Sequence, residues 1–320
     1  MSDTIRFEAF TYPSADGKST VHAYIWAPES PRGIIQLSHG MCEYVQRYDA
    51  WARRFAEAGF VFAGNDHLGH GQTAPDKETL GYTAPRGGAD LLVEDLHQMT
   101  EALKTRFPGL PIVLYGHSMG SFAARLYLSR YGEELAAALI SGTAGPEAPA
   151  AVARTLAHAI GKTKGYHHRS KLLTSLAFGS YNRRFAKEQD EHSWLTRDAA
   201  VRQCYRNDPF CRFVFTVAGY ETLFSLLAAV SDKRHAAALP KSLPILVFAG
   251  EDDPVGAFGK GVREVHRRMV AAGCNATLQL YPGARHEMHH EQERDTVFAD
   301  LLRFLNGIPA LQKGADTHEP

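Results

Sequence analysis

Residues 111–132 read PIVLYGHSMGSFAARLYLSRYG. The opening PIVLYG is apolar and β-branched, as in a buried strand, whereas the closing SFAARLYLSRYG carries its apolar groups at helical spacing. Between them Gly116, Ser118 and Gly120 form G-x-S-x-G. A chain that passes from strand to helix in so few residues must reverse sharply. That reversal holds the serine in a strained conformation and leaves no room for a Cβ two residues away on either side. The Ser118 hydroxyl is therefore expected to stand exposed at a helix N-terminus. Composition alone would yield the bare pattern in roughly one chain in ten, so the strand before it and the helix after it are what make it informative.

The same alternation extends in both directions. Strands are expected at IRFEAF, TVHAYIWA, GIIQLS (33–38), FVFAGN (60–65), AAALIS (136–141), PILVFAG (244–250) and ATLQLY (276–281), the first two as an antiparallel edge. Helical segments such as DAWARRFAEAG, DLLVEDLHQMTEALKTRF and GKGVREVHRRMVAAG lie between, several ending at Gly. Strands joined by helical crossovers define an α/β chain with a mostly parallel, eight-stranded sheet flanked by helices. The rhythm breaks at about 145–240, which has helical composition and large apolar groups, among them Leu172, Leu173, Phe178, Tyr181, Trp194, Phe210, Phe213 and Phe215. This stretch is expected to be an inserted helical cap over the active edge of the sheet. The expected organisation is core 1–144, cap 145–240, core 241–308 and a polar, fraying tail 309–320.

At 320 residues, 44% hydrophobic and 22% charged, the chain suits one large globular domain with an insertion. Lys plus Arg equals Asp plus Glu at 35 each, so no global basic field exists to gather nucleic acid. The four cysteines, Cys42, Cys204, Cys211 and Cys274, form no C-x-x-C pair and read as reduced thiols. No leader-like start and no membrane-length apolar run is visible, and a cytoplasmic setting is expected.

A serine hydroxyl needs a base, a group to orient that base, and donors for a developing oxyanion. FAGEDDPVG places Asp253 just beyond one strand and YPGARHE places His286 just beyond the next. The chain order Ser, Asp, His and the location at strand carboxyl ends both suit the chemistry. Asp252 and Glu251 are rivals, but Pro254 biases its predecessor toward an extended conformation, which favours Asp253. Upstream, GIIQLSHGMCEY ends a strand at His39-Gly40, where a tight loop would aim the backbone N–H of Met41 at the same point as that of Met119.

Taken together, SHGMCEYVQRYDAWARRFAEAGFVFAGNDHLGHGQT, YGHSMGS, NDPFC, AGEDDPVG and YPGARHE resemble serine hydrolases of the α/β-hydrolase fold, nearest to the monoacylglycerol lipase and lysophospholipase group. The resemblance covers nearly all of the chain outside the cap. It implies Ser118 as nucleophile, His286 as general base and acid, Asp253 as its partner, Met41 and Met119 as oxyanion donors, and a structural role for the Asp66–Gly71 loop. Met41, Cys42 and Ser121 depart from the smaller residues of many relatives. The function expected is hydrolysis of a monoacylglycerol, lysophospholipid or similar single-chain ester through an acyl-enzyme, with no metal or organic cofactor. Alternatives are a short-chain carboxylesterase, thioesterase or serine peptidase of the same fold, then a zinc metalloprotease or a non-catalytic binding protein. The partner expected is a small-molecule acyl ester, not nucleic acid, with transient contact between the cap and a membrane surface.

His286, Glu287 and His290 also fit H-E-x-x-H, a zinc-protease spacing when it lies on a helix. Pro282-Gly283 puts a turn just before it, and no third ligand follows, so the zinc reading is disfavoured. His289 and His290 are expected to be solvated or to pack behind the site. His67 and His70 flank Gly69 in a loop and are expected to pack, as is His117; Cys42 reads as a buried, inert thiol. KTKGYHHRSK (162–171) reads as a solvated basic loop.

Overall fold

The computed structural model describes residues 5–146 and 149–312. Eight strands form one sheet: β1 (Arg6–Pro13), β2 (Thr20–Ala27), β3 (Gly33–Ser38), β4 (Phe60–Asn65), β5 (Ile112–His117), β6 (Ala137–Ser141), β7 (Ile245–Gly250) and β8 (Ala276–Tyr281). Their order is β1-β2-β4-β3-β5-β6-β7-β8. β1 and β2 are antiparallel to each other, β2 is antiparallel to β4, and every other pairing is parallel. This is the sheet of the α/β-hydrolase fold, with the expected antiparallel edge.

The five inner parallel strands β3–β7 are buried on both faces, which is why they read as continuous apolar runs rather than alternating ones. Successive side chains supply opposite faces. Ile34 and Leu114 point to one core, shared with α2 (Gly88–Arg106), α3 (Met119–Tyr131) and α8 (Lys260–Ala271). Ile35, Val113 and Tyr115 point to the other, closed by α1 (Asp49–Glu57) and α9 (Arg294–Asn306) through Trp51, Phe55, Val297 and Leu301. Burial of each such side chain contributes roughly 1.5–3 kcal/mol. The expected polar tail contributes as well, for Leu311 is fully buried against the sheet end at Gly33; residues 313–320 of that tail lie outside the described residues.

Between β6 and β7 the regular elements among the described residues are all helical: α4 (Ala150–Lys164), α5 (Lys171–Phe178), α6 (Ala199–Asn207), α7 (Val217–Ser231) and short 3₁₀ turns. α7 lies along α4 and also packs on α2 and α3, so it joins this segment to the sheet layer. Glu147 and Ala148, beside the expected boundary, lie outside the described residues.

Candidate active site

Ser118 sits at the junction of β5 and α3 with φ 52 and ψ −123, a backbone conformation that favours glycine. Three contacts hold it there. Its N–H donates to Ser141 O at 3.0 Å, and its carbonyl accepts both the N–H and the hydroxyl of Ser121, at 2.8 and 2.6 Å. The flanking glycines are required by close approach: a Cβ on Gly116 would lie 2.6 Å from Ala124 Cβ and from Gly120 O, and one on Gly120 would collide with the carbonyls of Ser38 and His39. Met119 is the first residue of α3, where an N–H has no intrahelical acceptor.

Asp253, fully buried after β7, accepts the Val255 N–H at 2.9 Å on Oδ1. Its Oδ2 accepts from His286 Nδ1, also at 2.9 Å. A carboxylate can only accept, so the ring proton is on Nδ1 and Nε2 carries the free lone pair. Burial disfavours the charged ring, but the charge and hydrogen bond of Asp253 outweigh it and hold the His286 pKa above the ordinary histidine value. The rival carboxylates point elsewhere: Asp252 pairs with Arg184 at 3.0 Å and Glu251 with Arg263 at 2.9 Å. His286 and Ser118 both lie against the end of β6. Ser141 holds the Ser118 N–H, and a Cβ on the next residue, Gly142, would lie 3.0 Å from His286 Cε1.

The loop after β3 lies against Ser118, since a Cβ on Gly40 would come within 3.0 Å of the serine Cβ. His39 orders this loop from below, donating from Nδ1 to Gly40 O at 2.8 Å and accepting the His67 N–H on Nε2 at 3.0 Å. The Asp66–Gly71 loop packs as expected. The Asp66 carboxylate accepts the backbone N–H groups of Val45 and Gln72, both at 2.9 Å, and burial pushes its pKa up to about 6. His67 and His70 are buried and held neutral by desolvation. Cys42 is buried, its thiol donating to Phe213 O at 3.2 Å and pushed up by burial.

The sequence names Tyr181 and Trp194 as cap groups and Glu287 in H-E-x-x-H without placing them here, and it does not single out Glu43, Arg47, Glu188 or Arg285. Trp194 lies with its ring 5.0 Å from that of His286, and Tyr181 packs 5.1 Å beyond it. Arg285 donates to Ser193 O at 2.6 Å and pairs with Glu188, while the Glu287 N–H donates to Leu195 O at 2.8 Å. These contacts fasten residues 188–195 to the histidine loop. Glu43 is buried and accepts the Gly40 N–H, and Arg47 joins it to Glu287. The E-x-x-x-R spacing of Glu43 and Arg47 was the available signal, but its third partner lies far along the chain.

The H-E-x-x-H stretch is a turn followed by a 3₁₀ segment at Met288–His290, so His286 and His290 do not share a helix face. Asp253 occupies His286 Nδ1 and Arg47 occupies the Glu287 carboxylate. Of the two expectations for His289 the structure shows the packed one: it is buried, its ring stacked 4.2 Å from that of Tyr48. Among the described residues, metal-ligand proximity occurs at His97, Glu101 and Glu134, where the Lys104 ammonium already bonds both carboxylates.

A serine on a strained strand-to-helix turn, beside a carboxylate-anchored histidine at the carboxyl ends of this sheet, defines the class as a serine hydrolase of the α/β-hydrolase fold. Residues 29–293 match the family described as "Serine aminopeptidase, S33", and the chain belongs to that family. It is 30% identical over 287 residues to the monoacylglycerol lipase of Mycolicibacterium smegmatis, covering 88% of this chain and 91% of that one. It is 29% identical over 299 residues to human monoglyceride lipase, covering 92% and 88%. The solved structure of a highly thermostable carboxyl esterase from Bacillus coagulans, in complex with glycerol, superposes with a TM-score of 0.89 at 31% identity, covering 95% of this chain and 99% of that one.

Proposed function

We propose that the chain hydrolyses a single-chain acyl ester of the monoacylglycerol type, with Ser118 as nucleophile, His286 as general base and acid, Asp253 as its orienting carboxylate, and the N–H groups of Met41 and Met119 as oxyanion donors. The observation that carries this reading is the strained Ser118 backbone combined with the His286–Asp253 pair. His286 Nε2 takes the Ser118 proton as Oγ attacks the ester carbonyl. The two N–H groups receive the oxyanion, and losing one such donor costs about 3–4 kcal/mol of transition-state stabilisation. His286 then protonates the departing alcohol, here glycerol. Water, deprotonated by the same nitrogen, releases the fatty acid and restores Ser118. None of these steps needs a metal or organic cofactor.

The helical segment 145–240 serves as the cap that selects the acyl group. Phe178, Tyr181 and Trp194 form a contiguous aromatic cluster that ends on His286, a suitable surface for an alkyl chain. On the outside of the same segment Val152, Leu172, Leu176 and Val214 are 70, 53, 55 and 44% exposed. Exposed apolar side chains in this position suit brief contact with a lipid surface that holds the substrate. No helix of the described residues is long and apolar enough to cross a membrane. The four free thiols suit a reducing, cytoplasmic setting.

Short-chain esters, thioesters and peptides share this acyl-transfer chemistry, so the test is a substrate panel. Purified protein is offered a long-chain monoacylglycerol, a butyrate ester, an acyl thioester and an aminoacyl amide, and release of acid or amine is followed. Fastest turnover on the monoacylglycerol, abolished in Ser118→Ala, is expected. Preference for the butyrate, thioester or amide would replace the substrate assignment, and turnover retained by Ser118→Ala would overturn the mechanism.

A further inference from the structure

Glu287, the second residue of the H-E-x-x-H spacing, takes no part in the chemistry proposed above. Yet its side chain is only 3% exposed and is gripped by both terminal nitrogens of Arg47, Nη1 to Oε1 and Nη2 to Oε2, each at 2.7 Å. Nη1 of the same guanidinium reaches Glu43 Oε2 at 3.1 Å. Glu43 uses its other oxygen to accept the Gly40 N–H and the Tyr48 hydroxyl, the latter at 2.9 Å. An unbroken path therefore runs from the residue before Met41 to the residue after His286: Gly40 N–H, Glu43, Arg47, Glu287.

The surroundings hold this path in place. The Tyr205 ring lies 5.0 Å from the Arg47 guanidinium carbon, and Tyr48 stacks on His289. Two carboxylates face one guanidinium, and their roles divide. Burial pushes Glu43 up toward holding a proton, despite Arg47, whereas Arg47 overcomes burial at Glu287 and holds it ionised. The geometry of two parallel N–H···O bonds is available to a planar guanidinium and not to an ammonium.

We propose that Arg47 and Glu287 are positioning residues for the acyl-transfer reaction: their fork-to-fork pair fixes the loop that carries His286 relative to the loop that carries the Met41 N–H. The proposal rests on the roles assigned to Ser118, His286 and Met41. Neither residue touches substrate. Both act through the placement of the two loops, and Glu287 also sets its charge beside the His286 ring, so their loss shows in turnover and in its pH dependence rather than in substrate affinity.

Glu287→Gln keeps the shape and removes the charge, Glu287→Asp keeps the charge, and Arg47→Lys keeps the charge but loses the fork. Active sites are counted first with a fluorophosphonate, so that unfolded protein does not enter the rate. Failure of wild-type protein to react would defeat the underlying mechanism, whereas a failure confined to the expectations below defeats only this proposal. In Arg47→Lys and Glu287→Gln, kcat per titrated site on a monoacylglycerol is expected to fall by about 10- to 100-fold, with KM within about twofold of wild type.

The pH profile supplies a second readout. The titratable and charged groups facing His286 are Asp253 from the β7 loop, His117 from β5, Glu43 and Arg47 from the β3 loop and the turn that follows it, and Glu287 and His289 from its own loop. Removing the Glu287 charge takes away one stabiliser of the imidazolium. The acid limb of kcat/KM in Glu287→Gln is expected to move to lower pH, and in Glu287→Asp to stay with wild type. Unchanged kcat per titrated site in folded Glu287→Gln and Arg47→Lys, or an acid limb unmoved in Glu287→Gln, would overturn the proposal.

Discussion

Ser118 is held at φ 52 and ψ −123, a conformation that costs a residue bearing a Cβ about 1–3 kcal/mol. Replacement by Ala removes the hydroxyl and leaves that strain, because the Cβ remains. Replacement by Gly removes both. Gly also enlarges the conformational entropy of the unfolded chain, which takes back about 0.5–1 kcal/mol. The balance makes Ser118→Gly more stable than Ser118→Ala by about 0.5–2 kcal/mol. Unfolding entropy near 60 °C is about 2.1 cal/mol/K per residue, or about 0.7 kcal/mol/K for a chain of 320 residues, so the difference corresponds to about 1–3 °C in Tm. Both variants lack the proposed nucleophile and are compared without ligand, so binding does not enter. The assay is paired differential scanning calorimetry at one scan rate, supported by urea denaturation read as midpoints. A Gly variant equal to or less stable than the Ala variant would refute the claim that the turn stores strain at Ser118.

Four further outcomes are expected. In Asp253→Asn the proton leaves Nδ1 of His286 and the ring loses its anchor, so kcat should fall about 10⁴-fold, measured on any soluble ester. Under the proposed mechanism His286 must be neutral to act as base, and its pKa is held above the ordinary value, so wild-type kcat/KM should drop with a midpoint above about pH 6.5 as pH falls; a flat profile from pH 5 to 8 would contradict this. Gly120→Ala drives a Cβ into the Ser38 and His39 carbonyls and should destabilise the fold by about 2–3 kcal/mol in urea titrations, with little change if the turn can relax. Leu172→Glu with Leu176→Glu should slow hydrolysis of monoacylglycerol in vesicles while leaving a soluble butyrate ester at the wild-type rate, because both side chains are more than half exposed and outside the sheet core; equal slowing on both substrates would remove the lipid-surface role.

The inner parallel strands were legible because burial on both faces leaves long apolar runs, and the expected ranges at 33–38 and 60–65 match β3 and β4 residue for residue; 276–281 matches β8, an edge strand whose residues mostly alternate between half-buried and exposed. The nucleophile turn was legible because its steric demands fall on residues two apart. Asp253 was separable from Asp252 and Glu251 through Pro254 and the family resemblance; in the structure the two rivals pair with arginines, while Asp253 bonds His286. What stayed hidden is long-range. Glu43 and Glu287 meet through one arginine although 240 positions separate Arg47 from Glu287, and nothing local marks either carboxylate as buried. Trp194 was visible as an apolar group of the cap, but its place beside His286 depends on the Arg285, Glu188 and Ser193 contacts that dock its segment. Leu311 was lost in a polar tail because a single apolar residue sets no periodicity.

The central claim is an activated Ser118, and it is tested most directly by intact-protein mass spectrometry after a fluorophosphonate, on wild type, Ser118→Ala, and wild type pretreated with a zinc chelator. A single adduct on wild type, absent from Ser118→Ala and indifferent to the chelator, is the expected result. Folded wild-type protein that takes up no phosphonate, or an adduct that persists in Ser118→Ala, would contradict the account.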